Sequence, residues 1–373
     1  MSRAILQPQL SVAGQDQRFA RAFAVINGAI AARAFPGAAV AVVHAGRMVA
    51  LRGFGRFTYA DDARRVGAET MYDLASVSKV VATTAMAMLL YERGLLDLDV
   101  AVRAVVPEFA DVADPRRDRV TVRMLLAHSS GLPAYARLFE QARSRETLLE
   151  AAYKLPLEAD PGTRAEYSDI GFIILGEILA RVAGEGPAEN ALSSFCRREV
   201  FGPLGMTKTL FRPAEQMCQQ FPPTVEDLDF RHRVVQGEVD DENAWVMGGV
   251  AGHAGVFSSA GDVAHFAHVL LEGGSPLVRR ETLELFTRRQ ASPAGTTRAL
   301  GWDTPSRPVS QSGKYFSERA FGHLGYTGTS LWIDPERRLA VALLTNRTWP
   351  DRSSQAIKQV RPAFHDAVVE ALA

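Results

Sequence analysis

The sequence predicts an α/β protein of the α+β kind. An antiparallel sheet comes from both ends of the chain, flanked by N- and C-terminal helices, with an all-helical domain inserted between. Three observations carry this prediction: apolar strand-like runs broken by turn residues lie near both ends, amphipathic helices lie outside them, and helix signals dominate the middle. Residues 15–33 have helical spacing, with Phe19, Phe23, Val25, Ile26 and Ile30 recurring every three to four positions until Pro36-Gly37 stops them. Residues 38–44 and 48–53 read as a hairpin around Gly46. Residues 77–93 are apolar nearly all round and end at Gly94, a C-cap residue type. Thr121 has the chemistry to cap a helix over 121–128, and Gly184 closes one over 170–183. Residues 213–243 are polar, carry Pro222-Pro223, and read as a long loop of the kind that lines sites. Ser259-Ala260-Gly261-Asp262 is a capping-box pattern opening a helix through Leu271. Residues 329–333 and 339–345 form a second hairpin, and the tail places Ile357, Val360, Phe364, Val368 and Leu372 on one helix face. The expected division is residues 1–75 with 256–373 as the sheet domain and 76–255 as the mainly helical one. The active site falls at their junction.

Composition narrows the function. The chain has 373 residues, with 42 basic and 42 acidic side chains. Nucleic acid and anionic membrane both select for basic excess, so neither is the expected partner. No apolar run is long enough to span a bilayer. The N-terminus lacks a continuous apolar core of a secretory leader, which points to a cytoplasmic protein; a trimmed periplasmic form reads the same way. Cys196 and Cys218 are too few for a disulfide framework. The sequence holds no His-Glu-x-x-His and no Cys-x-x-Cys, so no metal and no cofactor is expected. Glycine-rich 248–255 is not followed by Gly-Lys-[Ser/Thr] and is not a phosphate loop. His265 and His268 are explained by an amphipathic helix, Asp240-Asp241-Glu242 by a solvated acidic loop, and the charged run 114–119 by a surface.

A nucleophile stands out. The chain has five lysines, Lys79, Lys154, Lys208, Lys314 and Lys358, and serine stands three positions before Lys79 alone. Residues i and i+3 share a helix face, so the Lys79 amine is placed near the Ser76 hydroxyl. Burial disfavours the ammonium, and the free amine can take a proton from serine. Ser-x-x-Lys by itself arises about once or twice by chance in a chain this long. The apolar run after it argues against a solvated lysine. Ser78 has Val81 three residues on, not a base.

Tyr72-Asp73-Leu74-Ala75-Ser76-Val77-Ser78-Lys79 resembles the nucleophile segment of the serine β-lactamase and penicillin-binding-protein superfamily, nearest its class C β-lactamase, esterase and D-peptidase branch. Four further segments match in order: residues 122–132, Tyr167-Ser168-Asp169, residues 248–255, and His323-Leu324-Gly325-Tyr326-Thr327-Gly328-Thr329. The resemblance implies a β-lactamase/transpeptidase-like fold and an acyl-enzyme formed on Ser76. It implies that Lys79 and Tyr167 share the proton transfers and that the backbone N–H groups of Ser76 and Tyr326 form the oxyanion hole. Asp169, His323, Leu324 and Gly325 fall at substrate-binding positions, and His253 is a candidate for the cleft.

Three departures bear on substrate. Asp169 stands at an asparagine position, so it accepts hydrogen bonds where an amide would also donate. His323 and Leu324 stand where the pattern has Lys-Thr, removing fixed positive charge and a hydroxyl. Both losses favour a neutral acyl substrate, that is, an esterase-type serine hydrolase acting on a small ester, amide or peptide. The alternatives are a D,D-carboxypeptidase, D-aminopeptidase or weak β-lactamase, and a non-catalytic penicillin-binding or sensory relative. The sequence leaves the oligomeric state open.

Overall fold

The structure, a computed structural model, describes residues 8–110, 113–184 and 188–373. The first seven residues, part of the stretch read above for a leader, lie outside them. A six-stranded sheet is assembled from both ends of the chain. Its strands are β1 (Gln9–Leu10), β2 (Gly37–His44), β3 (Arg47–Gly55), β9 (Phe321–Leu324), β10 (Ser330–Asp334) and β11 (Leu339–Thr345), in the order β1-β3-β2-β11-β10-β9. Numbers β4 to β8 belong to strands between these: β4 (Met71–Asp73), β5 (Leu210–Phe211), β6 (Pro223–Asp227), β7 (Arg233–Gln236) and β8 (Val256–Ser259). All pairings in the large sheet are antiparallel except β1 with β3.

Period-two alternation sends the two faces of β2 to different cores. Val40 and Val42 pack with Phe19, Phe23 and Ile26 and with Phe364 and Val368, beneath the terminal helices Ala20–Ala31 and Ile357–Glu370. Ala39, Ala41 and Val43 face the other core, with Val263 and Phe266 of the helix Ala260–Leu271. Both faces are covered, which is why the strand reads as an unbroken apolar run. Each fully buried Val, Leu, Ile or Phe contributes about 1.5–3 kcal/mol relative to exposure.

The chain leaves the sheet through β4 and returns through β8, and these two strands pair with each other. Between them it is helical for most of its length rather than throughout. β5 pairs with β8, and β6 with β7 forms a hairpin. The expected long loop over 213–243 is therefore structured. Val225 and Val235 pair across the hairpin and are buried. Buried Arg231 pairs with Asp227 and donates to the carbonyls of Val239 and Asp240. Side-chain bonds to backbone order this segment, and hydropathy does not display them. The expected helix over 77–93 is also subdivided: a 3-10 turn Ala75–Val77, a π-helix Lys79–Thr84, then the α-helix Ala85–Glu92 with Gly94 at φ 70. π-turns inside helices occur frequently at functional sites. The Ser259 hydroxyl caps the Asp262 N–H, but the Asp262 carboxylate turns to Lys208 N and Thr209, so only half of the expected capping box forms. In the charged run 114–119, Arg117 is buried and donates to three carbonyls, which corrects its reading as surface. Cys196 and Cys218 are free thiols. No helix among the described residues is long and apolar enough to cross a membrane.

Candidate active site

Ser76 sits on a tight turn directly after β4. Ala75, just before it, has φ 47, a left-handed conformation that costs an L-residue about 1–3 kcal/mol. Three contacts hold it there. The Asp73 carboxylate accepts the Ala75 N–H at 2.8 Å, Leu74 donates to Val256 of β8, and the Thr329 hydroxyl donates to the Leu74 carbonyl at 2.8 Å. Gly325 lies on this turn: a Cβ there would come within 2.5 Å of the Leu74 oxygen and 1.9 Å of the Thr329 hydroxyl. Only glycine lets the β9–β10 connection approach so closely.

Lys79, fully buried at the start of the π-helix, points back at Ser76. Its Nζ lies 2.8 Å from Ser76 Oγ, 2.6 Å from Asp169 Oδ1 and 3.0 Å from the His253 carbonyl. Tyr167 Oη lies 2.7 Å from Ser76 Oγ. One turn of chain and one distant tyrosine thus converge on a single hydroxyl. Tyr167 is fixed by the cap of the helix Asp169–Ala183, where Ser168 accepts from Gly171 N and donates to the Pro133 carbonyl. Buried His128 supports the same corner. Its Nδ1 accepts from Ser168 N, and its ring lies 4.7 Å from that of Tyr167. The glycine-rich stretch completes the pocket because Gly252 and Gly176 meet backbone to backbone; a Cβ on Gly252 would sit 2.1 Å from the Phe172 carbonyl oxygen. That contact sets where the His253 carbonyl meets Lys79.

The electrostatics of Lys79 and Tyr167 differ. Burial pulls the Lys79 amine below its ordinary value, against the opposing pull of Asp169. Burial pushes the Tyr167 phenol well above its ordinary range, and the Asp169 charge adds to this. A neutral Lys79 has two N–H donors and one lone pair. Lys79 Nζ donates to Asp169, to the His253 carbonyl and to Ser76 Oγ, so the loss of one proton would leave a lone pair facing Ser76.

The remaining residues singled out in the sequence line one cavity of about 780 Å³ together with Ser76, Tyr167 and Asp169. His323, Leu324, Gly325, Tyr326 and His253 all line it. His323 is buried; its Nδ1–H faces the Leu324 carbonyl at 2.8 Å, and burial holds its proton affinity well below the ordinary value, so it carries no charge near neutrality. His253 Nε2 meets Asp241 Oδ1 at 2.8 Å. Burial pushes Asp241 up, but His253, the Ala244 N–H and Lys79 outweigh it and bring the acid down to about 2.

Two readings from the sequence are corrected here. Asp240-Asp241-Glu242 is not a solvated acidic loop: Asp240 and Glu242 are buried against Arg352, and all three line the cavity. Fixed positive charge is not lost from the pocket either. It comes from positions that no local motif marked. Buried Arg361, on the C-terminal helix, donates to the Gly325 carbonyl at 2.6 Å and to that of Thr329 at 2.8 Å. Buried Arg347 donates to the Tyr326 carbonyl at 2.7 Å. Among the described residues no carboxylate pairs with either. Burial and the Arg347 charge bring Arg361 down to about 9. Arg298, also on the cavity wall, pairs with Asp303. The only trace of these arginines in the sequence is the low lysine count, which leaves arginine as the default cation.

A family model described as Beta-lactamase matches residues 22–362. An N-acetylmuramyl-L-alanine amidase of Bacillus subtilis (strain 168) is 35% identical, covering 85% of this chain and 78% of the relative. A Salmonella agona (strain SL483) protein assigned as a D-alanyl-D-alanine carboxypeptidase is 34% identical, covering 74% of this chain and 69% of its own. Among solved structures, EstCE1, a hydrolase with promiscuous acyltransferase activity, superposes with a TM-score of 0.75 at 23% identity, over 94% of this chain and 99% of that one. A class C beta lactamase from Rhodobacter sphaeroides gives 0.70 at 23%, over 95% and 99%. These two structures are similar in fold.

Proposed function

The chain belongs to the beta-lactamase family of serine hydrolases, and from that premise we propose that it hydrolyses a small amide or peptide bond through an acyl-enzyme on Ser76, on substrates that carry a carboxylate. One observation carries the mechanism: Ser76 Oγ is held at once by Lys79 Nζ at 2.8 Å and Tyr167 Oη at 2.7 Å, on the wall of the cavity. Lys79 takes the Ser76 proton as Oγ attacks the carbonyl carbon. The backbone N–H groups of Ser76 and Tyr326 receive the developing oxyanion. The C–N bond breaks and Tyr167 passes its proton to the leaving nitrogen. A water then attacks the ester. Its proton goes to the Tyr167 phenolate, and Lys79 returns its proton to Ser76. Every proton is accounted for, and no outside reactant beyond water is needed.

The substrate class rests on charge. Lys79 faces Asp169, His253 faces Asp241, Arg298 faces Asp303, and Arg352 faces Asp240 and Glu242. Arg347 and Arg361 remain with carbonyl partners, and exposed Lys358 lines the same side. A buried cation without a counter-charge is costly and favours an anionic ligand. The relatives' amidase and carboxypeptidase assignments agree with this reading. An esterase acting on neutral acyl groups is the second reading, favoured by uncharged His323 beside Leu324. The test is a panel of muramyl dipeptide, diacetyl-L-Lys-D-Ala-D-Ala, benzylpenicillin and p-nitrophenyl acetate, with fluorophosphonate labelling. The wild type should label and cleave a carboxylate-bearing amide with the higher kcat/KM. Ser76→Ala should do neither while melting like the wild type. Labelling of Ser76→Ala would move the nucleophile elsewhere, and turnover confined to the acetate ester would establish the second reading.

A further inference from the structure

A fixed positive charge stands over the tyrosine that must lose a proton. The Arg298 guanidinium carbon lies 5.3 Å from the centre of the Tyr167 ring. Arg298 is held from several sides. Its N–H donates to the Thr296 hydroxyl, its carbonyl accepts from Gln290, and its guanidinium pairs with Asp303. Asp303 in turn exchanges two backbone hydrogen bonds, at 2.8 and 2.9 Å, with Gly322 of β9, the residue before His323. Arg298 is therefore anchored to the strand that forms the cavity wall.

Of the other groups facing Tyr167, Lys79 alone gains a positive charge, and only once it has taken the Ser76 proton. His128 and His323, with ring centres 4.7 and 6.0 Å from that of Tyr167, are both held neutral by burial. Lys79, 4.9 Å from the ring centre, becomes positive when it takes the Ser76 proton, but it is paired with Asp169, whose charge opposes formation of the phenolate. Ser76 is uncharged. Asp303, paired with Arg298, opposes ionisation of Tyr167, but by less than Arg298 favours it. Cation–ring contacts strengthen as they are withdrawn from water, and Arg298 is partly buried.

We infer that Arg298 is the positioning residue that stabilises the Tyr167 phenolate formed when Tyr167 gives its proton to a leaving nitrogen. This rests on the acyl-enzyme reading above and adds a specificity consequence. Departure of an amine requires that proton; departure of p-nitrophenolate does not. Arg298 is then needed for amide substrates and largely dispensable for activated esters. The direction of the Arg298 effect on Tyr167, toward easier ionisation, agrees.

The experiment compares kcat/KM for a scissile amide and for the p-nitrophenyl ester of the same acyl group. Arg298→Gln should lose about tenfold to hundredfold on the amide and under about threefold on the ester. Arg298→Lys should restore part of the amide rate, and the alkaline limb of the amide pH profile should move up in Arg298→Gln. Because Arg298→Gln leaves Asp303 buried and unpaired, the double variant Arg298→Gln/Asp303→Asn is measured beside it and should show the same amide-selective loss. Equal losses on both substrates, or a rise in KM confined to carboxylate-bearing substrates with kcat unchanged, would overturn the assignment. An inactive Ser76→Ala protein beside an unaffected Arg298→Gln protein separates failure of this inference from failure of the acyl-enzyme reading.

Discussion

Gly252→Ala tests how backbone packing sets the catalytic geometry. The added methyl would sit 2.1 Å from the Phe172 carbonyl oxygen and 2.9 Å from Gly176 Cα. Both obstacles are backbone of the helix Asp169–Ala183, so neither can rotate away. The turn carrying Gly252 must retreat instead, and the His253 carbonyl, 3.0 Å from Lys79 Nζ, goes with it. Overpacking of this size costs about 1–3 kcal/mol. Unfolding entropy near 2.1 cal/mol/K per residue converts that into a melting decrease of roughly 1–4 °C for a chain of this length. A displacement of about 1 Å at a catalytic contact can cost on the order of a hundredfold in rate, so activity should fall far more than stability. The assay is a thermal melt with p-nitrophenyl ester turnover on the same preparation. Gly28→Ala is the control: its Cβ would meet nothing within 4 Å inside the helix Ala20–Ala31, and it should gain about 0.5–1 kcal/mol. A Gly252→Ala protein that melts and turns over like the wild type would refute the close approach and its role in placing the lysine's acceptor.

Two further outcomes are expected. Burial raises the Asp73 carboxyl to about 7, against the two backbone N–H groups it accepts from Ala75 and Asp240. An acid whose folded value lies above its unfolded one loses stability as pH rises between them, here from about 4 to about 7, by roughly 4 kcal/mol at most. The fall in melting temperature between pH 4 and 8 should therefore be shallower in Asp73→Asn than in the wild type, and parallel curves would contradict the reading. Asp169→Asn removes the charge that raises the proton affinity of Lys79 against the effect of burial. The acid limb of kcat/KM should then move to lower pH, and an unmoved limb would exclude the Lys79 amine as the base.

Much of the site was legible because its chemistry is written locally. Ser76 and Lys79 lie one turn apart, and helix geometry alone brings their side chains together. The terminal hairpins and helices were legible for the same reason: their periodicity is a property of neighbouring residues. The β6–β7 hairpin was not, because its order rests on buried Arg231 bonding the Val239 and Asp240 carbonyls, a contact between a side chain and backbone eight and nine residues on. The acidic run 240–242 looked solvated because its partners, Arg352 and His253, are remote in sequence or ambiguous in charge.

Local pattern was enough to read the terminal sheet strands and helices and to bring the Lys79 amine beside the Ser76 hydroxyl, since alternation, helical spacing and one serine-lysine interval all lie between near neighbours in the chain. The charge of the pocket could be read from the folded chain only. Arg298, Arg347 and Arg361 come from three separate segments, and what each does depends on whether a carboxylate, a carbonyl or an aromatic ring faces it. Electrostatic energy depends on distance through space and on burial, and neither is a function of distance along the chain.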